Sequence, residues 1–340
     1  MLNSYINSFL YKNTEKFNGT ILVAHKEQTL YKQSFGKANY DWDIPNTATT
    51  KFRIGSITKI FTAVAILMLV EEKKLQLHDT LDQFIPTFPK GNQIMIEHLL
   101  SHTAGVGNIT AQHNFLIQSY QPRTPDELIQ WIITCPFESS PGEKFNYSNS
   151  GYIILGHIIE VISGISYEEF LKKKILYPLS MMNTDVDLNH TIQKHKATGY
   201  ELHPIHDLQN TSFIHMSNSY SAGGLFSTAE DLYIFDQAIK ENRLLSNSMT
   251  SRMFTAGFYG YGYGYGYGYG YGYGYGYGWN IAMAGENSKL VFHHGGINGF
   301  TSSYLRFIDK EATIIILSNV STLLTSTLAN DIASYIENNY

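Results

Sequence analysis

The sequence predicts an α/β fold (α+β), with a sheet domain built from both chain ends and a mostly helical domain inserted between them. Three observations point to it. Runs rich in β-branched and aromatic residues, bounded by turns, lie near the N-terminus and return late in the chain. Residues 76–219 carry mostly helical spacings. Between them, residues 56–75 form a segment that is apolar nearly all round, which predicts a buried helix. The sheet domain is therefore assigned to 1–75 and 220–340, and the helical domain to 76–219. A boundary of this kind makes a cleft, a common location for an active site.

In chain order, residues 2–14 read as weakly helical. Gly19–Ala24 and Thr29–Phe35 read as two strands joined by a short polar turn, hence a hairpin. Helical spacing follows at Ile96–His102, Thr124–Cys135 and Gly151–Lys174. Pro141-Gly142 and Tyr177-Pro178 punctuate this part. Ser227 with Glu230 predicts a capping box at the start of a helix. Strands are expected around Tyr277–Ala282, Leu290–His293, Thr301–Phe307 and Ala312–Leu317, and a last helix near 323–338.

Residues 259–278 are ten consecutive Tyr-Gly units. In a strand, every Tyr would fall on one face and every Gly on the other. Fully extended, the tract would span roughly 66 Å at ~3.3 Å per residue, several times an ordinary strand. One or two copies are expected to enter the strand leading to Trp279, with the rest a loop or hairpin extension. A tolerated surface expansion is the favoured reading; a sticky aromatic surface is the rival.

The 340 residues carry 43% hydrophobic and 16% charged side chains and a net charge of −5. No basic block appears, so nucleic acid is not an expected partner. Cys135 is the only cysteine, which excludes an internal disulfide and a cysteine-based metal site. The N-terminus has neither a basic nor an apolar leader region, and the longest wholly apolar run, Ala63–Val70, is far short of a bilayer span. The expectation is therefore no membrane insertion and a cytoplasmic address, with a periplasmic or secreted one if a leader is missing.

Three stretches carry chemistry. Ser56-Ile57-Thr58-Lys59 opens the apolar helix. Positions i and i+3 share a helix face, so Lys59 lies beside Ser56, and a serine needs a neighbour to take its proton. Helix-terminal N–H groups favour a developing anion. Taken alone, Ser56 reads at least as well as an N-cap. Tyr147-Ser148-Asn149 follows a turn ahead of a helix and can present both outer side chains to a cleft. A phenol near an ammonium can serve as a base, whereas a lone Tyr is commonly a core residue. His293-His294-Gly295-Gly296 closes a strand, where glycine admits a substrate backbone and an N–H donor. His98 and His102 lie four apart but lack the Glu of a zinc motif, so capping or packing is expected and no metal or other cofactor is assigned. His203, His206 and His215 are scattered through loop-like sequence.

These motifs, in this order, resemble the serine β-lactamase and penicillin-binding-protein-like family, in the branch of class C β-lactamases, D-alanyl-D-alanine carboxypeptidases, D-aminopeptidases and esterases. His98–Gly105, Tyr177–Thr184, Ala222–Asp231 and Tyr275–Trp279 extend the resemblance over almost the whole chain. The resemblance implies an antiparallel sheet flanked by helices, with Ser56 as the acylated nucleophile and Lys59 and Tyr147 as its proton-handling partners. Asn149 would hold Lys59 or a substrate amide. The third motif is His-x-Gly where lactamases carry Lys-Thr-Gly. Family spacing favours His293 with Gly295, leaving His294 as the alternative register, and the N–H of Gly296 would join that of Ser56 in an oxyanion hole. An unperturbed histidine is mostly neutral where lysine is charged, so weak lactamase activity is expected. The implied function is a serine hydrolase acting on a small ester, amide or D-amino-acid peptide. A non-catalytic binding or scaffold protein that keeps the fold is the alternative.

Overall fold

The computed structural model describes residues 2–13, 17–205, 207–255, 257–260, 273–284 and 288–340. His206 and the greater part of the Tyr-Gly tract, residues 261–272, lie outside them.

Its centre is an eight-stranded antiparallel sheet, whose strands are numbered here in chain order. They are β1 (Gly19–His25), β2 (Gln28–Phe35), β3 (Phe258–Gly260), β4 (Tyr273–Tyr275), β5 (Asn280–Ala284), β6 (Ser288–Ile297), β7 (Phe300–Phe307) and β8 (Ala312–Ser318). The spatial order is β3-β4-β5-β6-β7-β8-β1-β2, so β1 from one chain end pairs with β8 from the other. The register Gly19↔Ser318 to His25↔Ala312 is continuous.

Side-chain alternation along these strands separates two cores. Leu22, Val291, Tyr304, Ile315 and Leu317 face the larger one. Ile21, Val23, Leu290, Phe292, Leu305, Ile314 and Ile316 face the smaller one. The smaller core is closed by helix α1 (Leu2–Lys12) and by the last helix, Leu324–Asn339, through Leu328, Ile332 and Ile336. The larger core holds helix α2 (Thr58–Glu71), in which Thr58 to Leu67 are all buried. A helix buried on all sides needs no amphipathic stripe, which is why its sequence shows none.

Several elements differ from their sequence expectation. The helix expected over Gly151–Lys174 is two: α3 (Asn149–Ser163) stops at Gly164, whose φ of +71° suits a C-terminal glycine. Ser166 then caps a new helix, α4 (Tyr167–Leu171), by accepting from the Glu169 N–H. The cap expected at Ser227 belongs one residue later. Thr228 accepts from Asp231 N at 3.2 Å and starts α5 (Ala229–Lys240), while Ser227 ends a buried strand and bonds Thr184. The strand expected from Tyr277 begins at Asn280, because Gly276–Trp279 turn back on themselves through Gly276 N to Trp279 O. Among the described residues no single helix is long and apolar enough to cross a membrane.

Candidate active site

Ser56 does not cap α2. It sits in a 3-10 turn, Gly55–Ile57, that runs directly into the helix, and no side chain caps either start. This turn packs against the end of β6. A Cβ on Gly295 would come within 2.0 Å of the Ile54 carbonyl oxygen, and one on Gly55 within 2.8 Å of Gly296 N. Both glycines are therefore required for the close approach of strand and serine turn. Ser302, opposite Gly295 in β7, ties the two together by donating to the Ile54 carbonyl at 2.9 Å.

Lys59, one helical turn on, is wholly buried. Its Nζ lies 3.0 Å from Ser56 Oγ, 2.7 Å from Asn149 Oδ1 and 2.9 Å from the Ala222 carbonyl oxygen. Three oxygens surround it and burial pushes its pKa well below the ordinary lysine value, since water is excluded from the charged form. Its Nζ also lies 4.9 Å from the centroid of the Tyr147 ring. Asn149, the first residue of α3, is used at both ends: its Nδ2 donates to Thr110 Oγ1 at 2.8 Å. Asn108 Oδ1 in turn accepts from Asn149 N, Thr110 N and Thr110 Oγ1.

Strand parity decides between the two histidines. His293 lies on the same face as Val291, toward the larger core and the serine turn. His294 shares the opposite face with Phe292 and bonds Ser303 Oγ at 2.8 Å. His293 is buried, 6.1 Å from the Tyr147 ring centroid to centroid, and its pKa is lowered to about 3 by burial first and by nearby Lys59 second. The structure thus gathers Ser56, Lys59, Tyr147, Asn149, His293, Gly295 and Gly296 at one place and turns His294 away.

Four participants escaped the sequence reading. His102 is buried, accepts from Ser148 N at 3.2 Å and packs against the Tyr147 ring, tilted by 39°, at 4.3 Å. Its pKa is held well below the imidazole value by burial and then Lys59. His98 caps its own short helix instead, accepting from Met95 N. Thr110 and Asn108 sit on a turn with no motif of their own. Tyr275 is buried in the site although it belongs to the Tyr-Gly tract, and its hydroxyl lies 3.1 Å from His293 Nε2. Only the match of Tyr275–Trp279 and His98–Gly105 to family blocks could have flagged Tyr275 and His102.

The family model "Beta-lactamase" matches residues 13–333. Penicillin-binding protein 4* of Bacillus subtilis (strain 168) is 30% identical over 318 residues, which cover 89% of this chain and 68% of that protein. The putative penicillin-binding protein PbpX of the same organism is 33% identical over 242 residues, 71% of this chain and 59% of that protein. This chain thus spans only part of the length of both. Among solved structures, the octameric penicillin-binding protein homologue from Pyrococcus abyssi superposes with a TM-score of 0.84 at 30% identity, covering 99% of this chain and 77% of that one. The D-amino acid amidase from Ochrobactrum anthropi SV3 shares the fold with a TM-score of 0.86 at 24% identity, covering 99% of each chain.

Proposed function

The chain belongs to the β-lactamase family of serine hydrolases, and from that premise we propose that it hydrolyses a small ester, amide or D-amino-acid peptide through an acyl-enzyme on Ser56. The observation that carries this reading is the buried Lys59 amine 3.0 Å from Ser56 Oγ. A lysine whose neutral form is favoured by burial can accept a proton from a hydroxyl within hydrogen-bond reach.

In this reading Ser56 Oγ attacks the substrate carbonyl while its proton passes to the Lys59–Tyr147 pair. The two groups are coupled, so the pair and not either residue is the base. The tetrahedral oxyanion is met by the N–H groups of Ser56 and Gly296. Its collapse expels an alcohol or amine, which takes the proton from the pair. Water then enters by the reverse route and releases the acid. Asn149 holds Lys59 in line, and Thr110 keeps the amide of Asn149 from rotating.

The His-x-Gly motif bears on the substrate. His293 is neutral at physiological pH, so no permanent cation stands where Lys-Thr-Gly would supply one. Esters and small peptides are favoured over β-lactams, and nitrocefin is expected to turn over far more slowly than with a dedicated lactamase. A D-amino-acid amide is the natural first amide to try, given the amidase that shares this fold.

The test is intact-mass analysis after incubation with a fluorophosphonate and, separately, a fluorescent penicillin. A single adduct that disappears in Ser56→Ala is expected. A folded protein with no adduct from either probe would move the assignment to a binding protein that retains the fold.

A further inference from the structure

We propose that Tyr275 is a positioning residue of this site: its hydroxyl donates to Nε2 of His293 and fixes that histidine as the Nδ1-protonated tautomer beside Tyr147. The role rests on the hydrolytic reading above; the tautomer itself does not.

The assignment follows from what each partner can do. His293 Nδ1 lies 2.6 Å from the carbonyl oxygen of its neighbour His294. A carbonyl only accepts, so Nδ1 carries a proton. In a neutral ring Nε2 then holds a lone pair, and the group 3.1 Å away must be the donor. That group is the Tyr275 phenol, 2% exposed, whose own pKa is driven well above the usual value by burial, so it keeps its proton. Among the described residues the groups acting on His293 are Lys59 from α2, His294 in its own strand, His102, and the rings of Tyr147 and Tyr275; none of these is a carboxylate that would favour an imidazolium.

Two consequences distinguish this site. Both nitrogens of His293 are occupied within the protein, so the ring offers a substrate carboxylate neither a charge nor a free N–H. His293 instead forms a wall. Tyr275 stands edge-on to it at 6.1 Å and edge-on to Tyr147 at 6.4 Å, while His102 lies 4.7 Å from Tyr275 and 4.3 Å from Tyr147. The reacting phenol is thereby boxed by three rings, one of them supplied by the tract. The end of the Tyr-Gly repeat is thus part of the site, whatever its remaining copies do.

Tyr275→Phe keeps the ring and removes the hydroxyl, which besides His293 has Tyr152 beside it. One lost hydrogen bond is worth roughly tenfold in rate if it is felt in the transition state. The expected result is kcat lower by about tenfold with KM changed less than twofold. The acid limb of kcat/KM should also move to higher pH, because the neutral form of His293 loses the donor that favours it. Nitrogen-15 spectra of histidine-labelled protein report the tautomer directly, with the His293 signals assigned by their absence in His293→Asn. Wild type at pH 7 should show a protonated Nδ1 and an unprotonated, hydrogen-bonded Nε2; in Tyr275→Phe the Nε2 signal should shift as that nitrogen loses its donor, while Nδ1 keeps the His294 carbonyl. A wild-type His293 protonated on Nε2, or on both nitrogens, overturns the proposal, as does a Tyr275→Phe enzyme with wild-type kcat and pH profile. If Tyr275→Phe fails to fold, the wild-type spectrum still decides. Failure of the hydrolytic reading shows separately, as absence of a Ser56 adduct in wild type.

Discussion

At the scale of single residues, the site is a set of bases kept out of water. Lys59, His102 and His293 are all buried, and burial disfavours the charged form of each. This has a consequence for stability. In the unfolded chain each histidine takes up a proton near pH 6.5, whereas folded His293 does so only at about 3. Between those values the unfolded state binds more protons, so stability falls as pH falls through that window. His102 acts in the same direction. Each such group contributes at most about 1.4 kcal/mol per pH unit. Most carboxylates are still ionised above pH 5, so the interval from 6.5 to 5 reports chiefly histidines. Urea unfolding across that interval should show a declining free energy, and His293→Gln should flatten the slope. A slope unchanged by His293→Gln would mean that this ring is protonated in the folded protein.

Whole elements show where sequence reading succeeds and where it stops. The Ser56 helix was legible because its burial is written in composition, and the hairpin β1–β2 because an aliphatic strand and a second carrying Leu30, Tyr31 and Phe35 flank a polar turn. The Gly164 break was not, because an isolated glycine in an apolar helical pattern can be tolerated within a helix as well as end one. Thr110 and Asn108 were invisible because they meet Asn149 only through tertiary docking. The tract was half legible. Its alternation matches a strand, yet alternation alone does not say which copy is pinned. Here the pinning comes from outside the repeat: β4 pairs with β5 through Gly274↔Ile281 and Tyr275↔Asn280, held by the turn at Trp279. On the other side β4 pairs with β3, Gly260 opposite Tyr273. Removing residues 263–272 would leave Tyr261-Gly262 as a two-residue connection between these paired positions, a length that suits a hairpin. This deletion of five units should preserve kcat within about twofold, in contrast to Tyr275→Phe. A large loss on deletion would assign the excised copies a role in the site and end the surface-expansion reading.

At the scale of the whole molecule, the eight-stranded sheet does different work on its two faces. The face that carries His293 and Gly295 packs against α2 and the helical segments, so the larger core and the catalytic groups share one set of contacts. The other face is closed by α1 and the C-terminal helix, well apart from Ser56 in the packing order. Because β1 and β8 pair across the two chain ends, neither face forms before the ends meet, and the two cores should unfold together. Ile332 tests this separation of roles. It is fully buried between the C-terminal helix and the smaller core, and it touches no group of the site. Ile332→Ala leaves a cavity there and should cost about 2–5 kcal/mol in stability. The transition should remain single, its midpoint lowered for fluorescence and circular dichroism alike. Well below that midpoint kcat and KM should equal the wild-type values, since Lys59, Asn149 and His293 keep their partners on the opposite face. Two separated transitions would show that the faces fold as independent units. A reduced kcat at a temperature where the variant is fully folded would show instead that the sheet transmits packing from one face to the hydrogen bonds of the other.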